Sequence, residues 1–397
     1  MEHPTLPASQ LLHARIATKA HFFICGLLFA TWGVHVPTVK AQFGLSEAQL
    51  AWLMLAAGIG SLISLARVGG WVARHGARPV VLCGASVVCA SLAALLFAPG
   101  YVVLMFLLFA FGLGSGGFDV AMNAEAVAVE REMSKPIMSS FHGFFSLGGL
   151  AGALIGSLVA EAGVRPVLHV ALTCAAGFAL VWFAARAMLP THATHSPEEQ
   201  HQGFRLPHGV LLLLGLLAAL ALVSEGAMYD WSTLYMSQEL ASPASIAALG
   251  YAAFSGAMAA GRFGGDWLRG RLGASRTLQC SAWLAGAAML LTLLIGERWA
   301  AIGGFALVGL GLSNVIPVLF SAAARVPNVS PASGIAGVSG IGYLGFMCGP
   351  PLIGAIAEHS TLATGLLVVA FFAVLVALLT PHAMRGISRP DATKVPH

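Results

Sequence analysis

Twelve apolar runs of helical length follow one another along this 397-residue chain and constrain its fold more than any other feature. A helix of about 20 residues crosses the hydrocarbon core of a bilayer, because each residue adds about 1.5 Å. We expect the runs near residues 20–38, 47–70, 79–98, 101–128, 137–159, 166–187, 209–236, 245–267, 277–295, 299–323, 334–357 and 362–382. The sequence therefore predicts an all-α membrane protein with twelve transmembrane helices.

The composition agrees with this and excludes several classes of protein. Charged residues make up only 9% of the chain, against about 25% in soluble proteins, so most of the surface must face lipid. No basic stretch with interleaved aromatic residues indicates a nucleic-acid partner. The six cysteines lie in apolar runs without a CxxC pair, so neither a disulfide framework nor a metal site is expected.

Enzyme motifs are also missing from the sequence. Gly112, Gly114 and Gly117 spell GxGxxG, but they lie inside an apolar helical run rather than between a strand and a helix. Small residues in such a run indicate close helix packing. No nucleophile elbow of a hydrolase is present. We therefore expect no enzymatic activity and no cofactor.

The positive charges predict the orientation in the membrane. If both termini are cytoplasmic, seventeen of the 20 lysines and arginines lie on the cytoplasmic side. Only Lys40, Arg165 and Arg298 then lie outside, which is a strong positive-inside bias. A cleaved signal peptide is the competing interpretation of the first run, but that run has a counterpart in the second half. The sequence predicts a multi-pass protein of the bacterial inner membrane with both termini in the cytoplasm.

Short motifs recur in the two halves at a nearly constant offset. ArgValGlyGly at 67–70 recurs as ArgPheGlyGly at 262–265, and GlyLeuGly at 112–114 recurs at 309–311. Parallel repeats of this kind place a substrate site between the halves, near the bilayer midplane, with alternating access by rocking. The predicted organisation is a cytoplasmic tail at 1–19, six-helix bundles at 20–187 and 209–383, a cytoplasmic linker at 188–208 and a second tail at 384–397.

The loop after the second run resembles a family signature. Residues 69–78 read GlyGlyTrpValAlaArgHisGlyAlaArg, which is similar to the GxxxDRxGR motif of the major facilitator superfamily. The resemblance implies the major facilitator fold and a loop that helps to close the cytoplasmic side. Ala73 replaces the aspartate of the motif, so the second half, at 261–266, is expected to share this role. The gating candidates are Gly69, Gly70, Arg74, Arg78, Arg262 and Asp266; alternatively, the charges among them only mark cytoplasmic loops.

Three further segments carry a narrower resemblance. AspValAlaMetAsn at 119–123, SerPheHisGly at 140–143 and GluGlyAlaMetTyrAspTrpSer at 225–232 together resemble the rhizopine-transporter-like branch of the superfamily. That branch is related to bacterial sugar:proton symporters. The resemblance implies a small polar solute that is similar to a sugar or a cyclitol.

Ionisable residues inside the runs are candidates for proton coupling. Each costs about 2.5–3.5 kcal/mol at the centre of a helix, so it is expected to face a cavity or a partner. Asp119 lies about two thirds along the fourth run, and His142 reaches a similar depth because the fifth run is antiparallel to it. We predict Asp119 as the proton carrier with His142 as its partner, although the two could form a fixed structural pair. Glu225 is the second candidate, because the sequence shows no basic partner for it.

Polar residues at mid-depth in related runs are candidates for contact with the solute. Asn314 and Pro317 are expected to interrupt the tenth run, as Pro37 is expected to interrupt the first, and such breaks free backbone groups for binding. Trp231 could stack on a ligand or anchor the helix at the membrane interface. The predicted lining is Trp32, Asn123, Glu225, Tyr229, Asp230, Trp231, Asn314 and Tyr343.

These features favour a monomeric secondary transporter that takes up a small polar solute together with protons. The first alternative is a drug or metabolite exporter that exchanges its substrate for protons. Exporters of the superfamily often carry GxxxGPxxGG in the fifth span, and residues 148–156 lack its proline, while Leu108 replaces an arginine common in exporters. The alternative from another class is a membrane sensor or scaffold, which would need a soluble domain or a longer polar segment than 188–208.

Overall fold

The computed structural model describes residues 7–133, 137–189, 208–327, 329 and 331–385. Within them, twelve segments are long and apolar enough to cross a membrane. The helices are α1 (Ala8–Phe43), α2 (Glu47–His75), α3 (Ala77–Ala94), α4 (Tyr101–Met133), α5 (Met138–Glu161), α6 (Pro166–Ala185), α7 (Val210–Gln238), α8 (Ala244–Leu272), α9 (Ala274–Ile295), α10 (Arg298–Leu312), α11 (Val315–Ala323), α12 (Pro331–His359) and α13 (Leu362–Arg385).

The first helix differs from its predicted limits in two ways. It begins at Ala8, well before the apolar run, because a helix that leaves the bilayer can continue in water with its backbone bonds intact. It also continues through Pro37 instead of breaking there. Gly44 ends it in the left-handed conformation that favours glycine at a helix C-terminus.

The predicted break in the tenth span is confirmed. α10 ends at Leu312 and α11 begins at Val315, so Ser313 and Asn314 lie between two helical segments. Pro317 lies in the first turn of α11, where a proline needs no backbone donor. Together the two segments form one span of 26 residues.

The chain forms two six-span bundles. In the N-terminal half α1 packs against α5 and α2 against α4, and in the C-terminal half α7 packs against α12 and α8 against α10. The halves meet mainly where α5 packs against α8 and α2 against α12, and α1 also contacts α7 and α8. We call the side where α1 begins and α13 ends the terminal face, and the other side the opposite face.

Carboxylates organise the ends of several helices. Glu130 accepts hydrogen bonds from the backbone nitrogens of Ile137 and Met138, both at 2.7 Å, and so caps α5. Glu297, outside the spans, caps α10. The backbone N–H groups of Ala300 and then Trp299 hold the pKa of its carboxyl below the ordinary value. These acids satisfy backbone donors that helix starts leave without partners.

Candidate functional site

Asp119 and Asn123 form the first part of a polar cluster between the halves. They lie one turn apart on α4, and the Asn123 amide donates to Asp119 Oδ1 at 3.0 Å and to its carbonyl at 2.9 Å. No hydrogen bond joins Asp119 to His142 among the described residues. The His142 ring instead packs edge-on against Phe22, with centroids 5.2 Å apart, and is exposed beside the space between the halves.

An ion pair forms the second part of the cluster. Arg262 Nη2 on α8 lies 2.9 Å from Glu225 Oε1 on α7, and each side chain is only 11% exposed. The expectation that Glu225 lacks a basic partner is therefore wrong. The sequence could not show it, because the partner comes from a neighbouring helix 37 residues further along the chain.

Arg262 also connects the two halves of the molecule. Its Nη1 donates to Ser146 Oγ at 2.7 Å and to the His142 carbonyl at 3.4 Å, both on α5. The same guanidinium therefore bonds to the C-terminal half through Glu225 and to the N-terminal half through α5. Removing either partner of such a buried ion pair leaves an unpaired charge, which lowers the stability of the folded protein.

Two tyrosines add hydroxyl groups to this region. Tyr343 on α12 is 39% exposed, and its phenol interacts electrostatically with the carboxyl groups of Asp119 and Glu225. Tyr229 lies on α7 one turn beyond Glu225. Its hydroxyl lies near Ser146 but has no hydrogen bond among the described residues.

Aromatic rings surround Tyr229. The ring packs against Tyr251 at 5.3 Å and Phe254 at 5.1 Å, both on α8, and against Phe145 on α5 at 6.4 Å. Tyr251 and Phe254 are fully buried, so they support the partly exposed rings of Tyr229 and Phe145 from behind. The C–H face of a sugar-like ring is apolar, and partly exposed aromatic rings such as those of Tyr229 and Phe145 can contact it.

A small, partly open cavity contains two more of the predicted residues. Its volume is about 70 Å³, and Trp32 and Asp230 lie in its wall with the hydroxyl-bearing Ser61 and Ser115. The rest of the wall is mostly apolar, from α1, α2, α4 and α12. Asp230 therefore faces a different space from the Glu225–Arg262 pair.

Trp231 and Asn314 lie in packed surroundings rather than at this cavity. Trp231 is fully buried, and its indole N–H has no partner among the described residues. The Asn314 amide donates to the Gly261 carbonyl on α8 at 3.3 Å and to Ser313 Oγ at 3.0 Å. Asn314 therefore fastens the break of the tenth span to α8.

The signature segment, expected as a loop after the second span, instead forms the last turns of α2 and the first turn of α3 on the terminal face, with only Gly76 between the helices. Gly69, Gly70, Arg74 and Arg78 are exposed, and the two glycines have no neighbouring side chain or backbone where a Cβ would project. The side chain of Asp266 lies outside the described part of the chain. The exposure of His142 and Tyr343 indicates that the polar cluster borders an open space between the halves.

The structure shows functional candidates that sequence reasoning missed. Ser146 follows His142 by one turn on α5, so helical spacing could have indicated it. His35 and His169 form a hydrogen-bonded imidazole pair, with 2.9 Å between Nε2 and Nδ1, across α1 and α6. No sequence signal connects these two histidines, because 134 residues separate them. No group of three metal-ligating side chains occurs among the described residues.

Comparison with known sequences identifies relatives along nearly the whole chain. Residues 20–268 match the family model of the Major Facilitator Superfamily. An uncharacterized MFS-type transporter of Yersinia pestis is 36% identical over 379 residues, which cover 94% of this chain and 96% of that protein. Membrane protein MosC of Rhizobium meliloti is 32% identical over 375 residues, which cover 94% of this chain and 90% of that one.

Solved structures show the same fold at low sequence identity. A variant of the nucleoside transporter NupG superposes with a TM-score of 0.74 at 12% identity, over 94% of this chain and 99% of that one. A bacterial homologue of the human lysosomal transporter Spinster, solved in an inward-facing and unoccupied conformation, gives a TM-score of 0.73 at 13% identity, over 96% and 98% of the two chains.

Proposed function

This chain belongs to the major facilitator superfamily and is a multi-pass secondary transporter, and we propose that it takes up a small polar solute together with protons. The observation that carries this proposal is the polar cluster between the halves. Asp119, Asn123, Glu225, Arg262 and Tyr343 come from four spans and lie where a rocking transporter binds its solute.

The chemistry of the cluster supports a polyhydroxylated solute. An amide, two carboxylates, a guanidinium and a phenol offer both donors and acceptors, as several hydroxyl groups on one ring require. The partly exposed rings of Tyr229 and Phe145 can contact the apolar face of such a ring. The resemblance to the rhizopine-transporter-like branch supports a sugar- or cyclitol-like solute, and the similar fold of NupG belongs to a transporter of nucleosides.

We place the coupling proton on Asp119, with His142 as its partner and Glu225 as the second candidate. The Glu225 carboxylate is already neutralised by Arg262, so protonating it would leave a buried cation unpaired. The Asp119 carboxyl accepts a hydrogen bond only from Asn123 among the described residues, so protonating it breaks no ion pair. His142 is exposed to the same open space and can exchange protons with water.

A thermal-shift screen of the purified protein tests the class of solute. Sugars, cyclitols and drug-like cations are added separately, and we expect sugars or cyclitols to stabilise the folded protein. A ligand at about 100 times its Kd adds roughly 2.7 kcal/mol by mass action. Stabilisation by drug-like cations alone would overturn the proposed solute and favour the exporter.

A matched pair of tyrosine variants tests the position of the site. We expect Tyr343→Phe to weaken binding of the stabilising ligand by about tenfold, the loss of roughly one hydrogen bond. The control is Tyr101→Phe, which removes a tyrosine hydroxyl at the opposite face. That hydroxyl donates to the Gln49 carbonyl at 3.0 Å, and its loss should leave ligand binding unchanged. Equal binding by both variants would place the solute away from Tyr343.

A further inference from the structure

The halves meet at the opposite face through a side chain of one and the backbone of the other. Glu358 lies in the last turn of α12, and its Oε2 accepts a hydrogen bond at 3.0 Å from the backbone nitrogen of Ala48 in the first turn of α2. α12 belongs to the C-terminal half and α2 to the N-terminal half. A carboxylate of one half therefore caps a helix of the other.

This contact adds to the capping of α2. Within the N-terminal half, Ser46 Oγ accepts from the Gln49 nitrogen at 3.2 Å, and the Gln49 side chain accepts from the Ser46 nitrogen at 3.0 Å. This capping box leaves the Ala48 N–H without a partner, and Glu358 supplies its acceptor. A carboxylate at this position also interacts favourably with the positive end of the helix dipole.

Charges beside the cap favour the same arrangement. Lys40 Nζ lies 2.8 Å from Glu47 Oε1 in the first turn of α2. The same ammonium group attracts the Glu358 carboxylate electrostatically. Lys40 therefore adds a favourable interaction with the exposed Glu358 carboxylate, besides that of the adjacent His359, while α12 lies beside α2.

One turn before Glu358, the backbone of α12 packs closely against α2. The bond between Glu358 and Ala48 therefore forms only while the two helices are this close. A Cβ on Gly354 would overlap the side chain of Ala51 and lie only 3.1 Å from the Glu47 carbonyl. Only glycine allows α12 to approach α2 this closely. Glu358 follows Gly354 by four residues, so it lies on the same side of α12.

The internal repeat provides a comparison within the chain. Glu161 lies 197 residues before Glu358, at the end of α5, and α8 begins at the position that corresponds to the start of α2. Glu161 is exposed and makes no hydrogen bond among the described residues. The first turn of α8 receives no side-chain cap. Among the described residues, the carboxylate cap therefore joins α12 to α2 but has no counterpart between α5 and α8.

We propose that Glu358 is the latch that holds the opposite face closed, and that its bond to Ala48 breaks whenever that face opens. The two partners belong to halves that rock against each other, so opening must separate them. Removing the latch should raise the fraction of molecules that are open at this face. The inference needs no assumption about the solute or about proton coupling.

Distances between spin labels in liposomes test the latch. In a background with the six cysteines replaced by alanine, labels are placed at Phe97→Cys and Leu294→Cys, two residues that are 69% and 72% exposed at the opposite-face ends of the third and ninth spans. We expect Glu358→Ala to increase the longer-distance population, with a change of about fivefold in the ratio of the two states, as for the loss of one helix cap. Glu358→Gln keeps a neutral acceptor and should give a smaller increase.

Glu161→Ala is the matched control, because it removes the equivalent carboxylate of the repeat. We expect it to keep the parent distance distribution. An unchanged distribution in Glu358→Ala, or in a folded Glu358→Gln if the alanine variant does not fold, would overturn the proposal. An equal shift in the Glu161→Ala variant would also overturn it, because the effect would then follow from loss of charge at this face rather than from the cap.

Discussion

At the scale of single residues, the Glu225–Arg262 ion pair gives a direct prediction about stability. Glu225→Gln leaves a buried guanidinium without its partner, which should cost about 3 kcal/mol of unfolding free energy. The double variant Glu225→Gln with Arg262→Gln should recover part of this loss, because no charge then remains unpaired. Thermal unfolding in detergent measures the stability of the single and the double variant.

The partly exposed Lys40–Glu47 pair is the control for this experiment. Its side chains are 12% and 26% exposed, so Glu47→Gln should cost much less, below about 1 kcal/mol. A double variant as unstable as the sum of its two single variants would show that Glu225 and Arg262 do not interact.

Asp119→Asn separates proton coupling from solute binding. The amide cannot carry the coupling proton but keeps the size of the carboxyl group and its contact with Asn123. We expect proteoliposomes with this variant to lose proton-driven accumulation while still exchanging solute across the membrane. Full proton-driven accumulation would remove Asp119 from this role and transfer it to Glu225.

The sequence indicated which polar residues lie inside the spans and at what depth in the membrane, but it did not indicate which side chains bond to them. The cost of charge in lipid indicated Asp119 and Glu225 from position alone. It could not indicate that Arg262 reaches Glu225, or that Asn314 bonds to the Gly261 carbonyl, because both contacts depend on how α8 packs against its neighbours.

At the scale of the helices, the glycines of α4 predict different effects of the same substitution. A Cβ on Gly112 would overlap the backbone of Ala57 on α2, whereas one on Gly117 would lie 3.7 Å from Ser64 Oγ. We expect Gly112→Ala to lower the melting temperature and the yield of folded protein. Because the added methyl group forces α4 and α2 apart, the free energy of unfolding should fall by about 2 kcal/mol or more. Gly117→Ala should be neutral or slightly stabilising, because alanine favours helix. Equal stability of the two variants would contradict this packing.

The number of the spans followed from the apolar runs, because each run must be helical to satisfy its backbone in lipid. The ends of the helices followed less well. α1 extends to Ala8 because nothing at the membrane edge stops a helix. The sequence indicated a break at both Pro37 and Pro317, but only the tenth span is divided.

At the scale of the whole molecule, the charge bias predicts the orientation. We expect the terminal face to be cytoplasmic, since it carries most of the lysines and arginines. Reporter fusions in the 188–208 segment and at the C-terminus measure this, and both should report the cytoplasm. A periplasmic signal from either fusion would contradict the predicted orientation.

The central claim is that solute and protons move in the same direction through the site between the halves. The most direct test adds a solute identified by thermal shift to the outside of proteoliposomes, without any initial pH gradient, and records the external pH. Uptake together with protons predicts alkalinisation of the medium with the native protein and no change with Asp119→Asn. Acidification would show exchange of solute for protons, and transport of the solute without any pH change would show that protons are not coupled to it.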